Sequence, residues 1–315
     1  MAGVSDYAFR RLCVDHGADY TVTEMISAKA LCYADKRTAE LARILREEAP
    51  VAIQIFGSEP EILARAAGML SSGDYPGCIS DTLPAAIDIN MGCPVKKIVS
   101  NGEGSALMRD ETLVKEIVLA VVEASRVPVT VKMRAGFDSS SVNAVKIASI
   151  CEEAGATAVC IHGRTRVQMY RPPVDLEIIK EVKEALKIPV IGNGEIFSPK
   201  DALAMKNYTG CDSLMIARGS LGNPFIFEQI KDLFGGKTYE EPSDSLRLRT
   251  AKKHLGLLVA DKGKDKALFE ARKHIAWHIK GIPGAPALRN AVNRCTCLTD
   301  LENMLDDAIR RTETT

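Results

Sequence analysis

The sequence predicts an α/β protein of the (β/α)8 barrel class followed by a small helical bundle. Three observations carry this. Residues 1–236 alternate apolar runs with helical patterns at intervals of about 25–40 residues, the signature of a parallel sheet covered by helices. The apolar runs are rich in Val and Ile and nearly continuous, as in strands buried on both faces. After a linker, Gly235-Gly236 and Glu240-Glu241-Pro242-Ser243, only helical patterns follow.

Taken in order, Ser5-His16 has the pattern of the first barrel helix. The runs expected as strands are Asp19-Thr23, Val51-Phe56, Ala86-Asn90, Val129-Arg134, Ala158-His162, Pro189-Asn193 and Ser213-Ala217. Between them, Glu111-Ser125 places Leu113, Ile117, Val118, Val121 and Val122 at helical spacing, and Val142-Ala154, Leu176-Leu186 and Pro199-Tyr208 behave alike. Ser198 and Pro199 suit the N-cap and first helical position. A full barrel has one strand more. It is expected to precede Met1, as in a truncated or mis-started chain, leaving an open sheet edge. The bundle is expected from Leu246-Val259, Lys266-Lys280 and Ala285-Asn293. The expected domains are therefore 1–236 (barrel) and 240–315 (helical).

Composition is that of an ordinary globular chain: 315 residues, 46% hydrophobic, 26% charged. Of the nine cysteines, only Cys295 and Cys297 are close, and no His/Cys spacing fits structural zinc, so no metal is expected. Reduced thiols, polar residues at Ser5 and Asp6 and no membrane-length apolar run point to a cytoplasmic protein with no leader and no membrane partner. Lys plus Arg and Asp plus Glu balance at 41 each, which by itself argues mildly against nucleic acid. Distribution matters more. Residues 247–294 hold twelve Lys/Arg (Arg247, Arg249, Lys252, Lys253, Lys262, Lys264, Lys266, Arg272, Lys273, Lys280, Arg289, Arg294) against Asp261, Asp265 and Glu270. Such a run is usually a solvated helix face, but it also suits a polyanion.

Barrel chemistry sits at the carboxyl ends of the strands. There the sequence places Gln54, then Asp88 and Asn90, Lys132 and Arg134, His162-Gly163-Arg164, Gly192-Asn193-Gly194-Glu195, and Arg218-Gly219. Singly, each is ordinarily a rim or structural residue. Six successive strands ending this way make a site the better reading. The glycine turns after the last two strands, with Arg218, favour a phosphorylated ligand. Lys132 suits either a cation for the N1–C2=O edge of a reduced flavin or a Schiff-base lysine.

These motifs together resemble the bacterial tRNA-dihydrouridine synthases, flavin mononucleotide (FMN)-dependent enzymes. The resemblance covers nearly the whole chain: Met1-Ala2-Gly3-Val4-Ser5-Asp6 with Phe9-Arg10, Thr23-Glu24-Met25, Gln54-Ile55-Phe56-Gly57, Asp88-Ile89-Asn90-Met91-Gly92-Cys93-Pro94, Lys132-Met133-Arg134, His162-Gly163-Arg164-Thr165-Arg166, Gly192-Asn193-Gly194, Ala217-Arg218-Gly219, and Arg272-Lys273-His274 with Trp277 and Lys280-Gly281. The run around Cys93 is the most specific.

The resemblance implies a flavoprotein oxidoreductase acting on a CH–CH group, in tRNA processing. NADPH or NADH would reduce FMN, hydride would pass from its N5 to uracil C6, and Cys93 would protonate C5, giving 5,6-dihydrouridine. It further implies that Met1 and Ala2 back the ring, that Gln54, Lys132 and His162 bond its polar edge, and that Asn193, Gly194, Glu195, Arg218 and Gly219 bind around the cofactor, chiefly its phosphate. Asn90 would orient the uracil. Arg134, Arg164, Arg166, Arg272, Lys273 and His274 would contact the tRNA. The target uridine, expected in the D-loop, must leave its stack to reach such a pocket. A monomer is expected.

Departures from the family pattern are Arg171-Pro172-Pro173 in place of a glycine-containing stretch, Leu176 and His278 at positions where Trp and Tyr are common, and a loop of unassigned role, Ser71-Leu83. The alternatives are an FMN barrel oxidoreductase acting on rRNA uridine, a free pyrimidine or an enone, a Schiff-base lyase using Lys132, and a non-catalytic RNA-binding protein.

Overall fold

The structure, a computed structural model, describes residues 1–313. The Val/Ile-rich runs form strands β1 (Thr21–Val22), β2 (Ile26–Ser27), β3 (Val51–Phe56), β4 (Ala86–Met91), β5 (Val129–Gly136), β6 (Ala158–Thr165), β7 (Val190–Asn193) and β8 (Ser213–Met215). All pairings are parallel, in the order β1-β3-β4-β5-β6-β7-β8. β2 also pairs with β3, through Ile26 and Ile55, so β1 and β2 occupy one position interrupted at residues 23–25. Thr23 bridges the gap: its N–H donates to the Ala52 carbonyl (3.0 Å), and its Oγ1 accepts the Gln54 N–H (3.1 Å). The Asp19-Thr23 strand of the sequence reading is thus shorter and broken. Among the described residues β1 and β8 are not paired to each other, and the sheet is an open, barrel-like arc.

Helices connect the strands: α1 (Tyr7–Asp15), α2 (Ala28–Cys32), α3 (Lys36–Leu41), α4 (Pro60–Ser72), α5 (Lys96–Val99), α6 (Glu111–Ala124), α7 (Ala144–Glu153), α8 (Leu176–Ala185) and α9 (Pro199–Thr209). Their starts follow from local chemistry. The Asp110 carboxylate accepts from Leu113 N, and that of Asp175 from Glu177 N and Ile178 N, so each satisfies helix donors that otherwise lack partners.

Alternation along the strands separates core from site. Ile53, Ile55, Ile87, Ile89, Met91, Val131, Met133, Val159, Ile161 and Val190, all at most 1% exposed, share one face. The registers Gln54↔Asp88, Asp88↔Thr130, Asn90↔Lys132, Arg134↔His162 and His162↔Asn193 put the polar residues on the other. Near-continuous hydrophobicity in the sequence concealed this division.

Two compact units are present: Met1–Arg10, Asp19–Ile196 and Lys200–Ala217 in one, and Arg11–Ala18, Phe197–Pro199 and the chain from Arg218 onward in the other. Residues 218–236, counted with the barrel by sequence, fall in the second. In the first unit the buried Arg10 guanidinium holds Glu48 through Nε (2.6 Å) and Nη2 (2.7 Å), and donates to the Ser5 and Arg43 carbonyls. This explains the arginine of the opening motif. Of the expected Ser71-Leu83 loop, Ser71 and Ser72 end α4 and the rest is structural: Ser80 Oγ accepts from Ile44 N (3.0 Å), Asp81 accepts from Arg46 N (2.6 Å) and Tyr75 is buried.

The second unit contains α10 (Ile226–Phe234), α11 (Asp244–Lys262), α12 (Lys264–His278), α13 (Ala285–Arg294) and α14 (Leu298–Glu313). Neither α10 nor α14 was singled out by sequence, although Leu301, Leu305 and Ile309 of α14 recur at helical spacing and are buried. Three histidines, His254, His274 and His278, pack inside this unit, with His254 and His274 ring centroids 4.4 Å apart.

Candidate active site

Polar side chains from β3 to β7 share one face of the sheet. Asp88 links those of β3, β4 and β5. Its carboxylate accepts from Gln54 Nε2 (2.7 Å) and Thr130 Oγ1 (2.6 Å), and Gln54 Oε1 in turn accepts from Asn90 Nδ2 (2.8 Å). Burial pushes the Asp88 carboxyl up to about 6, against the opposing hydrogen bonds of Thr130 and Gln54 and the Lys132 charge. An unfolded aspartate titrates near about 3.9. The folded chain therefore binds the extra proton between these values, and Asp88 destabilises the fold progressively as pH rises from about 4 to about 6, by up to about 3 kcal/mol. We expect Asp88→Asn to abolish this fall. Urea midpoints at pH 4.5 and 7 check it, and an unchanged pH dependence in the variant would refute the assignment.

Asn90 positions Cys93. Its Oδ1 accepts the backbone N–H of Gly92 (3.1 Å) and of Cys93 (2.9 Å). The Cys93 carbonyl is fixed from the other side by Ser105 N (3.1 Å) and Ser105 Oγ (2.9 Å). Gly104, at φ +60°, allows this approach, because a Cβ there would lie 2.9 Å from the Cys93 oxygen. The loop is thus held at both ends, while the Cys93 side chain is partly accessible. Asn90 has both its polar atoms engaged, leaving one amide N–H for a ligand.

Lys132, beside Asn90 in the register, donates to Asn193 Oδ1 (3.1 Å), and Asn193 Nδ2 donates to the Met215 carbonyl (2.7 Å). Asn193 is the ammonium's one hydrogen-bond partner among the described residues, so the remaining N–H donors of Lys132 are available to a ligand. His162, 8% exposed, has Nε2 3.4 Å from Arg164 Nη1. Met1 is half-buried and Ala2 exposed, and the Gly3 N–H donates to Glu24 Oε2 (2.8 Å), which gives the Glu24 of the Thr23-Glu24-Met25 motif a role in holding the opening motif.

Several residues serve differently from the sequence expectation. Arg164 is fully buried. It pairs with Glu195 and donates to the Arg171 carbonyl (2.8 Å), while Glu195 also accepts from Val174 N (3.1 Å). Arg164 is therefore no surface cation for RNA, and the Glu195 carboxylate is committed to protein groups. Arg134, 3% exposed, donates to the carbonyls of Gly92 (2.7 Å), Met169 (2.9 Å) and Thr165 (3.1 Å), so it ties the Cys93 loop to the segment after β6. Gly163 permits the same segment to close: a Cβ there would lie 2.1 Å from the Asp175 oxygen. Asp88 stood out in the sequence as a strand-end residue but without a role, and Thr130 and Ser105 did not stand out, because the registers and turns that pair them are not visible in a linear chain.

In the second unit, Arg218 and Gly219 open a 3-10 turn, Arg218–Ser220, with the Arg218 guanidinium 5.3 Å from the Phe197 ring centroid. The basic run is less positive than its count. Arg247, Arg249, Lys252, Lys253 and Lys262 pair with Asp244, Glu313, Asp306, Asp15 and Glu270. All but Glu270 lie outside the 247–294 window, which is why a linear count missed them. Arg272 donates to the Cys295 carbonyl (2.7 Å), and Lys273 is half-buried. His274 is 1% exposed, and burial lowers its pKa to about 3, so it is a neutral core residue and not an RNA contact.

The family model described as dihydrouridine synthase (Dus) matches residues 1–313. A Synechocystis sp. protein named "Probable tRNA-dihydrouridine synthase 1" is 40% identical over 311 residues, 98% of this chain and 84% of its own. The Pasteurella multocida "tRNA-dihydrouridine synthase B" is 40% identical over 299 residues, 94% of this chain and 87% of its own. Among solved structures, histamine dehydrogenase from Rhizobium sp. 4-9 superposes with a TM-score of 0.50 at 13% identity, covering 79% of this chain and 45% of that longer one. At that identity the likeness concerns the barrel fold alone.

Proposed function

Because the chain belongs to the dihydrouridine synthase family, we propose that it reduces the C5=C6 bond of a uridine in tRNA to 5,6-dihydrouridine. The observation that carries this reading is the fixed loop of Cys93, seated on Asn90 and Ser105 beside the polar strand ends.

The donor set fits FMN. Lys132 offers unused N–H donors next to the neutral amides of Gln54 and Asn90, which suits a flavin edge rich in carbonyl oxygen and ring nitrogen. Bound there and recharged by NADPH or NADH, FMN would supply the hydride that adds to uracil C6. Lys132, Gln54 and His162 would hold its polar edge, with Asn193 and Gly194 beyond them. Arg218 and Gly219 are phosphate-binding candidates on sequence pattern.

The chain's own chemistry is proton delivery and positioning. Hydride addition at C6 leaves negative charge at C5 and O4. Cys93 Sγ–H breaks as the C5–H bond forms, and the thiolate is reprotonated from solvent. Asn90 keeps the Cys93 backbone in place and offers its remaining N–H to the uracil edge. Arg134 prevents the Gly92 carbonyl from drifting. The substrate is expected to be a D-loop uridine extruded from its stack.

The test is direct. Dihydrouridine is mapped in tRNA from a strain lacking this protein, with and without the gene restored, and the purified protein is examined for flavin absorbance. Restoration of one missing dihydrouridine by a yellow protein supports the reading. A flavin-free protein, or full dihydrouridine content in the deletion strain, would falsify it.

A further inference from the structure

Two arginines near the Cys93 loop remain without counter-charges. Arg109 Cζ lies 4.9 Å and Arg166 Cζ 5.4 Å from the centroid of one aromatic ring, Phe137. Neither guanidinium enters an ion pair among the described residues, and the buried Arg166 Nε has no hydrogen-bond partner. The nearest acidic residue in sequence, Asp138, is turned to Ser140 Oγ (2.7 Å) and Ser141 Oγ (2.9 Å). Two like charges held at the same ring repel, and an anion within reach of both guanidiniums would offset that repulsion. Guanidinium groups match phosphate oxygens in geometry as well as charge.

Both arginines are anchored to the machinery around Cys93. Arg109 closes the 3-10 turn Gly104–Arg109, in which Ser105 holds the Cys93 carbonyl. The Arg166 N–H donates to the Gly136 carbonyl (2.9 Å) at the end of β5, and its charge acts on Arg134, which holds Gly92. The segment beyond Arg166 exposes Met169 (40%) and Tyr170 (50%), apolar surface of the kind on which unstacked bases rest.

We propose that Arg109 and Arg166, gathered on Phe137, form a clamp for a backbone phosphate of the RNA that presents its uridine to Cys93. This rests on the tRNA reading above and moves one anchoring point of the RNA from the C-terminal helices, where five of the cations are already paired, to the strand-end rim.

The test measures binding of unmodified tRNA to the full flavin-loaded chain at salt concentrations from about 50 to about 200 mM, a range over which phosphate contacts dominate the response. Wild type, Arg109→Gln, Arg166→Gln, Arg109→Lys and Arg166→Lys are compared, and dihydrouridine formation by the wild type is recorded in parallel. Each glutamine variant is expected to lower the slope of log affinity against log salt by about 1, and each lysine variant to keep it. Unchanged slopes in the glutamine variants overturn the clamp, as does an equal loss in the lysine variants, which would mark a packing role. If the wild type forms dihydrouridine while the slopes stay unchanged, the clamp alone fails. If the wild type forms none, both the clamp and the functional reading fail.

Discussion

Replacing Cys93 with alanine is expected to lower dihydrouridine formation in tRNA by about 100- to 10,000-fold, the range typical of losing a general acid. The loop should survive the change, because its geometry is set by the backbone. The Cys93 N–H is held by Asn90 and its carbonyl by Ser105, and neither contact uses the thiol. Flavin content, thermal midpoint and tRNA affinity are accordingly expected to match the wild type. Single-turnover conversion of tRNA with the pre-reduced protein is the appropriate measurement. Wild-type rates in the alanine variant would remove Cys93 from the chemistry. A matched loss of rate and thermal midpoint would make it a packing residue.

Arg10→Met is expected to cost about 3–5 kcal/mol of stability, as breaking a buried ion pair does. Glu48 is 0% exposed and Arg10 3%, so removing the guanidinium strands a carboxylate that water cannot reach. It also frees the Ser5 and Arg43 carbonyls. The double variant Arg10→Met, Glu48→Gln is expected to recover much of the loss, because the stranded charge is then gone. Urea denaturation of the three proteins decides the matter. Single and double variants of equal stability would show that the cost lies in the lost hydrogen bonds to carbonyls and not in the buried charge.

Particular residues show what could be read in advance. The strand at Val51–Phe56 begins and ends where β-branched periodicity places it, and Ala86–Met91 differs by one residue. The helical spacing of Glu111-Ser125 and Leu176-Leu186 returns as α6 and α8, whose Asp110 and Asp175 caps only the structure shows. Cys93, Lys132 and Asn193 drew attention as polar or reactive residues in or just beyond apolar runs, and the structure sets Asn193 at the end of β7, Lys132 within β5 and Cys93 two residues past β4. The errors share a cause. Arg164 and His274 look like surface cations in a linear chain, yet one is fully buried and the other 1% exposed. Lys252 and Lys253 look uncompensated, yet Asp306 and Asp15 neutralise them from distant sequence positions. Polarity is a local property, whereas burial and pairing depend on what the fold brings alongside.

The sequence by itself therefore determined the parallel βα architecture, the family and the identity of the residues at the strand ends, because all three are written in local periodicity and short motifs. Tertiary structure alone decided what those residues do to one another. Strand registers place Gln54, Asp88 and Asn90 side by side, burial raises the Asp88 carboxyl, and the carbonyls of Gly92, Thr165 and Met169 capture Arg134. Each of these depends on desolvation or on contacts between segments tens of residues apart, and neither quantity exists until the chain has folded.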